Sequence, residues 1–270
     1  MNINENGLVL LGCGKMGSAM LTGWLAQGLP LASVWVMDPY PSDWLKDLAG
    51  QGLHLNQGLP ENPAIVLVAV KPQMMAEALP QLAALGNSQT LFLSVAAGTP
   101  IAFYERVLGG DTPVIRAMPN TPAAVGRGIT AIIGNAKTSE QHLQAAEGLL
   151  RAVGQTVRLE AEGQMDAVTA VSGSGPAYVF HLIETLAAAG VAEGLAPDLA
   201  MALAKATVGG AGQLAEDAAE DPAQLRVNVT SPGGTTAAAL AVLMDPETGF
   251  PALMTRAVKA AADRSRELSQ

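Results

Sequence analysis

Over the first 159 residues, short apolar runs of strand length alternate with stretches of helical spacing. Residues 8–11, 33–37, 64–70, 90–95, 113–117 and 130–133 are near-continuous apolar runs, as strands covered on both faces require. Residues 18–27, 73–85 and 139–153 between them repeat apolar positions every three or four residues. Such alternation predicts an α/β unit with a doubly wound, mostly parallel sheet. From about residue 160 the β-branched runs stop. Ala, Leu and Met then recur at helical spacing over residues 176–192, 197–215, 222–227, 235–244 and 250–268. The expectation is therefore a sheet domain over residues 1–159 followed by an all-helical domain over residues 160–270. A length of 270 residues agrees with two domains at roughly 150 residues each.

Composition narrows the partners. A chain that is 49% hydrophobic and 14% charged is not disordered. Its net charge of −9, with 15 Lys and Arg that form no cluster, argues against nucleic acid. Cys13 is the single cysteine, which rules out an intramolecular disulfide framework or a cysteine metal cage and fits a reducing cytoplasm. The first residues, MNINENG, have no basic leader, and no apolar run reaches about 18 residues. A soluble, cytoplasmic chain that does not enter a membrane is expected. His54, His142 and His181 are far apart and form no metal-ligand pattern.

The first apolar run opens directly into Gly12-Cys13-Gly14-Lys15-Met16-Gly17 and then a helix. This is G-x-G-x-x-G in the strand–turn–helix setting that holds a dinucleotide pyrophosphate. The second run ends at Asp38, where a carboxylate accepts from an adenosine ribose 2′-hydroxyl and repels a 2′-phosphate, so NADH is favoured over NADPH. Tyr40 and Ser42 leave room for a phosphate, and the alternative is an Asp-Pro turn. Cys13, with no histidine near it in sequence, reads as packing rather than nucleophile. Ligands of such sheets lie outside the carboxyl ends of the strands, which marks Lys71, Ala96, Ala97 and Asn120 as cofactor-facing candidates. Residues 116–122 read as a shaped loop near that edge.

In the helical half, residues 228–240 stand out. Ser231 is placed as an N-cap and Pro232 in the first helical turn, with Gly233 and Gly234 leaving bare N–H groups at the mouth of an Ala/Leu helix. Such an end attracts carboxylate or phosphate, and Thr230, Thr235 and Thr236 add hydroxyls. The alternative is an ordinary capped turn. The long alanine-rich apolar face over residues 179–190 reads as subunit interface.

Six stretches in order, GCGKMG at 12–17, AVKPQ at 69–73, SVAAG at 94–98, RAMPNTPA at 116–123, AVSGSGPAY at 170–178 and NVTSPGGTT at 228–236, resemble pyrroline-5-carboxylate reductase over nearly the whole chain. The resemblance implies NAD(P)H-dependent reduction of 1-pyrroline-5-carboxylate to L-proline, the last step of proline synthesis. It implies a Rossmann-like domain and a helical domain that dimerises, often into rings of dimers. It places the substrate carboxylate on Ser231, Gly233, Gly234 and Thr235, with the Thr236 hydroxyl near the ring nitrogen as the catalytic group. Asn228 and Glu162 would border substrate and nicotinamide. Gly12, Gly14, Lys15, Met16, Gly17, Asp38, Asn56, Ala69, Val70, Lys71, Pro72, Ala96, Ala97 and Asn120 would line the dinucleotide. Asp38 departs from the small hydroxyl residue of many relatives, which puts their NADPH preference in doubt here. Two rivals stay open. A β-hydroxyacid dehydrogenase would carry a lysine soon after its second glycine motif, where this chain has PAYVFHLIE after Gly175. A dinucleotide sensor shares the fold but has no use for the SPGGTT stretch.

Overall fold

The computed structural model describes residues 2–268. Eight strands form one sheet: β1 (Leu8–Leu11), β2 (Val34–Met37), β3 (His54–Leu55), β4 (Ile65–Val68), β5 (Leu91–Ser94), β6 (Val114–Met118), β7 (Gly128–Gly134) and β8 (Gly154–Arg158). Their spatial order is β3-β2-β1-β4-β5-β6-β7-β8. Neighbours run parallel except β6 and β7, which are antiparallel. The sheet is thus mostly parallel, as the continuous apolar runs predict. Chain order reverses on either side of β1, which makes the carboxyl ends of β1 and β4 the crevice where such sheets bind ligands.

The apolar runs feed two cores, one on each face. Leu8 and Leu10 of β1 point into one cluster with Trp24, Ile65 and Leu149, while Val9 and Leu11 point into the other with Val66, Phe92 and Tyr104. This two-residue alternation is the strand period at work. The Lys15–Ala26 helix covers the first face, and the Trp24 indole N–H donates to the Leu149 carbonyl at 2.9 Å.

Several elements carried no sequence assignment. β3 and β8 are short and partly exposed, and β3 is held at the edge by Trp35 stacked on His54 at 4.3 Å. The Asp43–Gly50 and Ile101–Leu108 helices are each 8 residues long. Residues 73–85, expected as one helix, are instead a 3-10 turn at Pro72–Met74, a short helix at Met75–Ala78 and 3-10 structure at Leu79–Leu85. Pro80, within the stretch, removes an N–H donor that a continuous helix would use.

The chain divides into two compact units, one ending at Gly173 and regaining the stretch from Ala262, the other Ser174–Ala261. Strands do end near residue 159, the expected boundary, but residues 162–173 pack with the sheet unit. Met165 and Ala170 are buried there, and the Ser265 hydroxyl donates to Asp166 at 2.6 Å. The helical unit holds Gly175–Ala192, Pro197–Asp217, Pro222–Asn228 and Thr235–Leu243, with the first part of Phe250–Leu268. Its buried cluster is small: Ala187, Ala200 and Ala204. Among the described residues, no helix is long and apolar enough to cross a membrane.

Candidate functional site

The glycine turn sits at the carboxyl end of β1. Gly12 has φ +87°, and a Cβ there would stand 2.8 Å from Val70. A Cβ on Gly17 would meet the Gly12 carbonyl oxygen at 2.6 Å, so helix and turn touch through bare backbone. At Gly14 the situation is opposite: an added Cβ meets nothing within 4 Å, leaving the outer side of the turn open. That space belongs to a cleft of about 730 Å³ lined by Gly12, Gly14, Lys15, Asp38, Ala69, Val70 and Lys71, with Tyr40 and Trp44 on its rim. A second cleft of about 320 Å³ is lined by Asp38, Tyr40, Asn56, Val70 and Met74. Closed glycines beneath an open one, at the mouth of a 12-residue helix, fit a pyrophosphate. Met16 is half-buried against the core, and Pro72 follows Lys71 at the exposed rim.

Asp38 holds this site together. Its Oδ2 accepts the Cys13 N–H at 2.7 Å and its Oδ1 accepts the Tyr40 N–H at 2.8 Å. Asn56, at φ +50°, accepts the Asp38 N–H with its side-chain oxygen at 2.9 Å and donates to the Asp38 carbonyl at 2.7 Å. The glycine turn is thereby tied to the Asp38 carboxylate and the end of β3 to the Asp38 backbone. The sequence shows the carboxylate but not its two backbone partners. Burial, with the Asp38 charge second, pushes the Cys13 thiol up to about 12, so it stays protonated and unreactive.

Two other expected residues also have structural partners. Asn120 donates to the Ser172 carbonyl at 3.2 Å and accepts the Ile129 N–H at 3.0 Å. Glu162 Oε1 accepts from Arg116 Nη1 at 2.8 Å and from the Ile101 N–H at 2.9 Å, while its Oε2 has no partner among the described residues. Ala96 is buried and Ala97 exposed beyond the carboxyl end of β5. Arg116, Tyr104 and Ser94 form a buried polar group that sequence reading missed. Its one signal was an arginine inside an apolar strand.

In the helical unit, Ser231 is not the N-cap. Its carbonyl accepts the Gly234 N–H at 3.0 Å, so Ser231, Pro232, Gly233 and Gly234 form a turn with Gly233 at φ +67°. The helix starts later, at Thr235, with Gly234 as N-cap and no side-chain cap. Its first N–H groups therefore have no partner from helix or cap. Thr230 donates to the Arg226 carbonyl at 2.6 Å, but the Thr235 and Thr236 hydroxyls have no partner among the described residues. Asn228 is exposed, and its oxygen accepts from Gln224 at 2.8 Å.

The parallel sheet, the open glycine turn and the carboxylate at the end of β2 define a dinucleotide-dependent oxidoreductase. A family model described as "NADP oxidoreductase coenzyme F420-dependent" matches residues 8–98, and one described as "Pyrroline-5-carboxylate reductase dimerisation" matches residues 162–268. The pyrroline-5-carboxylate reductase of Pseudomonas aeruginosa is 39% identical over 97% of both chains. The structure of a pyrroline-5-carboxylate reductase from Coxiella burnetii superimposes with a TM-score of 0.92 at 33% identity, covering 99% of this chain and all of that one. The pyrroline carboxylate reductase of Plasmodium falciparum, solved with NADP bound, gives a TM-score of 0.84 at 27% identity over 100% of both chains. The chain belongs to the pyrroline-5-carboxylate reductase family, the oxidoreductases that reduce pyrroline-5-carboxylate to proline.

Proposed function

We propose that residues 231–236 hold the pyrroline-5-carboxylate and that the cleft over the glycine turn holds the dinucleotide, with NADH preferred. The observation that carries the substrate assignment is the uncapped helix start at Thr235 beside two free threonine hydroxyls. Backbone N–H groups at a helix N-terminus take a carboxylate, and Gly233 and Gly234 keep side chains out of its way. The Thr236 hydroxyl then hydrogen-bonds the ring nitrogen. Protonation there, by solvent, draws electrons from the C=N carbon and readies it for reduction. No histidine is required. When bound, the reduced dinucleotide supplies the hydride.

Gly12, Gly14 and Gly17 admit the pyrophosphate, with Lys15 and Met16 beside it. Ala69, Val70, Lys71, Pro72, Ala96, Ala97 and Asn120 flank the rest, and Asn56 braces the ribose end through Asp38. The Asp38 carboxylate retains lone pairs for a ribose hydroxyl after its two backbone bonds, and its charge opposes a 2′-phosphate. Within the sheet unit Glu162, through Oε2, borders the nicotinamide, and within the helical unit Asn228 borders the substrate. The helical unit self-associates into a dimer or a ring of dimers, and the single cysteine fits a cytoplasmic setting.

The test is turnover of pyrroline-5-carboxylate by wild type and Thr236→Ala, followed as loss of reduced-nicotinamide absorbance. Thr236→Ala is expected to lower kcat/KM about 10- to 100-fold, as loss of one polar contact to a reacting group does. Unchanged kinetics would remove Thr236 from the site.

A further inference from the structure

The loop from Val95 to Pro100 carries Ala96 and Ala97, and buried polar groups set its shape. Ser94 Oγ accepts the Ala96 N–H at 3.2 Å and lies 2.5 Å from the Tyr104 hydroxyl. The Tyr104 phenol therefore braces the β5 end of the loop through Ser94. Tyr104 is fully buried, and Arg116 keeps only 7% of its side chain accessible.

Arg116 works through Glu162. The Ile101–Leu108 helix that ends the loop begins at Pro100, which has no side chain able to cap it. Glu162, 61 residues away in sequence, supplies the missing cap by accepting the Ile101 N–H. A carboxylate suits that end of the helix dipole, and the Arg116 guanidinium holds it there. Both ends of the Ala96–Ala97 segment are therefore fixed by charge-assisted or phenolic hydrogen bonds inside the sheet unit. Burying the Arg116 guanidinium against a partly exposed Glu162 is a costly way to stabilise an 8-residue helix, since well-packed apolar residues serve as well. What such a pair adds is fixed geometry.

We propose that Tyr104 and Arg116 are positioning residues that, with Glu162, lock the Ala96–Ala97 loop in the shape that receives the nicotinamide end of the dinucleotide. This rests on Ala96 and Ala97 forming a wall of the cofactor cleft. Tyr104→Phe deletes one oxygen and keeps the ring that fills the core, so the fold is retained.

The experiment titrates the full-length protein with NADH and, separately, with ADP-ribose, which lacks the nicotinamide. Tyr104→Phe and Glu162→Ala are expected to weaken NADH by about 3- to 10-fold while ADP-ribose stays within about twofold. Glu162→Gln, which keeps a cap for Ile101, is expected to recover part of the NADH loss. Equal weakening of both ligands, or no change in either, would overturn the positioning role. Ala97→Val separates the two levels of the reading, because it places bulk on the loop itself. If Ala97→Val weakens NADH and Tyr104→Phe does not, the network is overturned and the wall stands. If Ala97→Val changes nothing, the wall fails and the positioning role with it.

Discussion

The sheet unit and the helical unit treat their apolar surface in opposite ways. In the sheet unit, β1, β4 and β5 are buried along their whole length, and two clusters fill the two faces. In the helical unit, only Ala187, Ala200 and Ala204 form a buried cluster, while Phe180 is 58% exposed and Leu199, Leu203, Leu214 and Val242 are exposed with it. Polar groups follow the same division. Asp38, Asn56 and Asn120 spend their side chains on neighbouring backbone, whereas the Thr235 and Thr236 hydroxyls have no partner among the described residues. One unit is complete in itself. The other leaves apolar surface open, and it lies within the stretch, residues 162–268, that matches a dimerisation family model; on the proposed reading a second copy covers that face.

The largest expected effect tests that contrast directly. Phe180→Asp puts an unpaired charge on the face assigned to the partner, at a cost of several kcal/mol if that face is buried in the dimer. Light scattering should then report monomer, and Tm should fall by about 10 °C. A dimer of unchanged Tm would make this face ordinary surface and erase the difference between the units.

A smaller effect sharpens the sheet side. Asp38→Ser removes the negative charge at the ribose end and is expected to move the NADH/NADPH ratio of kcat/KM about tenfold toward NADPH, an electrostatic difference of about 1.4 kcal/mol. A constant ratio would leave Asp38 as the tie for Cys13 and Tyr40 alone.

The smallest effect lies on the outer rim of the sheet unit, where Arg158 bonds Glu140 at 2.7 Å and Glu147 at 2.6 Å. The Arg158 hydrogen bond is the leading cause that holds both carboxyls below the usual range. Their contribution is present above the unfolded carboxylate value of about 4.3 and is lost as pH falls through the lower folded values. Arg158→Gln should therefore reduce the Tm difference between neutral and acid pH by only about 2 °C, measured by calorimetry, because Arg158 and Glu140 are exposed and water screens them.

Much of this architecture was legible in the residues. The run at residues 8–11 is β1 to the residue, and the last helix begins at Phe250 and ends at Leu268 as its spacing predicts. Buried strands and amphipathic helices announce themselves because one side-chain pattern serves one environment. β3 escaped because a two-residue edge strand has no period to read, and the Ile101–Leu108 helix because its cap comes from Glu162 rather than from its own neighbours. At the site, the glycine turn and the SPGG stretch were visible as motifs. The backbone bonds of Asp38 were not, because they depend on how separate segments meet, and the helix read over residues 235–244 is capped by Gly234, three residues after Ser231. Composition changes where the strands stop, near residue 159, while residues 162–173, with Met165 and Ala170 buried, group with the sheet unit because grouping depends on contacts rather than on composition.

The last helix has a consequence for how the protein is made. Its residues from Ala262 onward belong to the sheet unit, where Ser265 reaches Asp166 and the Leu268 carbonyl oxygen lies 3.5 Å from where a Cβ on Gly98 would stand. The helical unit is therefore an insertion within the sheet unit rather than an appendix to it. On a ribosome, which releases a chain from its N-terminus, the eight strands emerge long before the segment that closes over their loop. The nascent sheet unit must wait, with the Gly98 turn uncovered, until the whole helical unit has been synthesised.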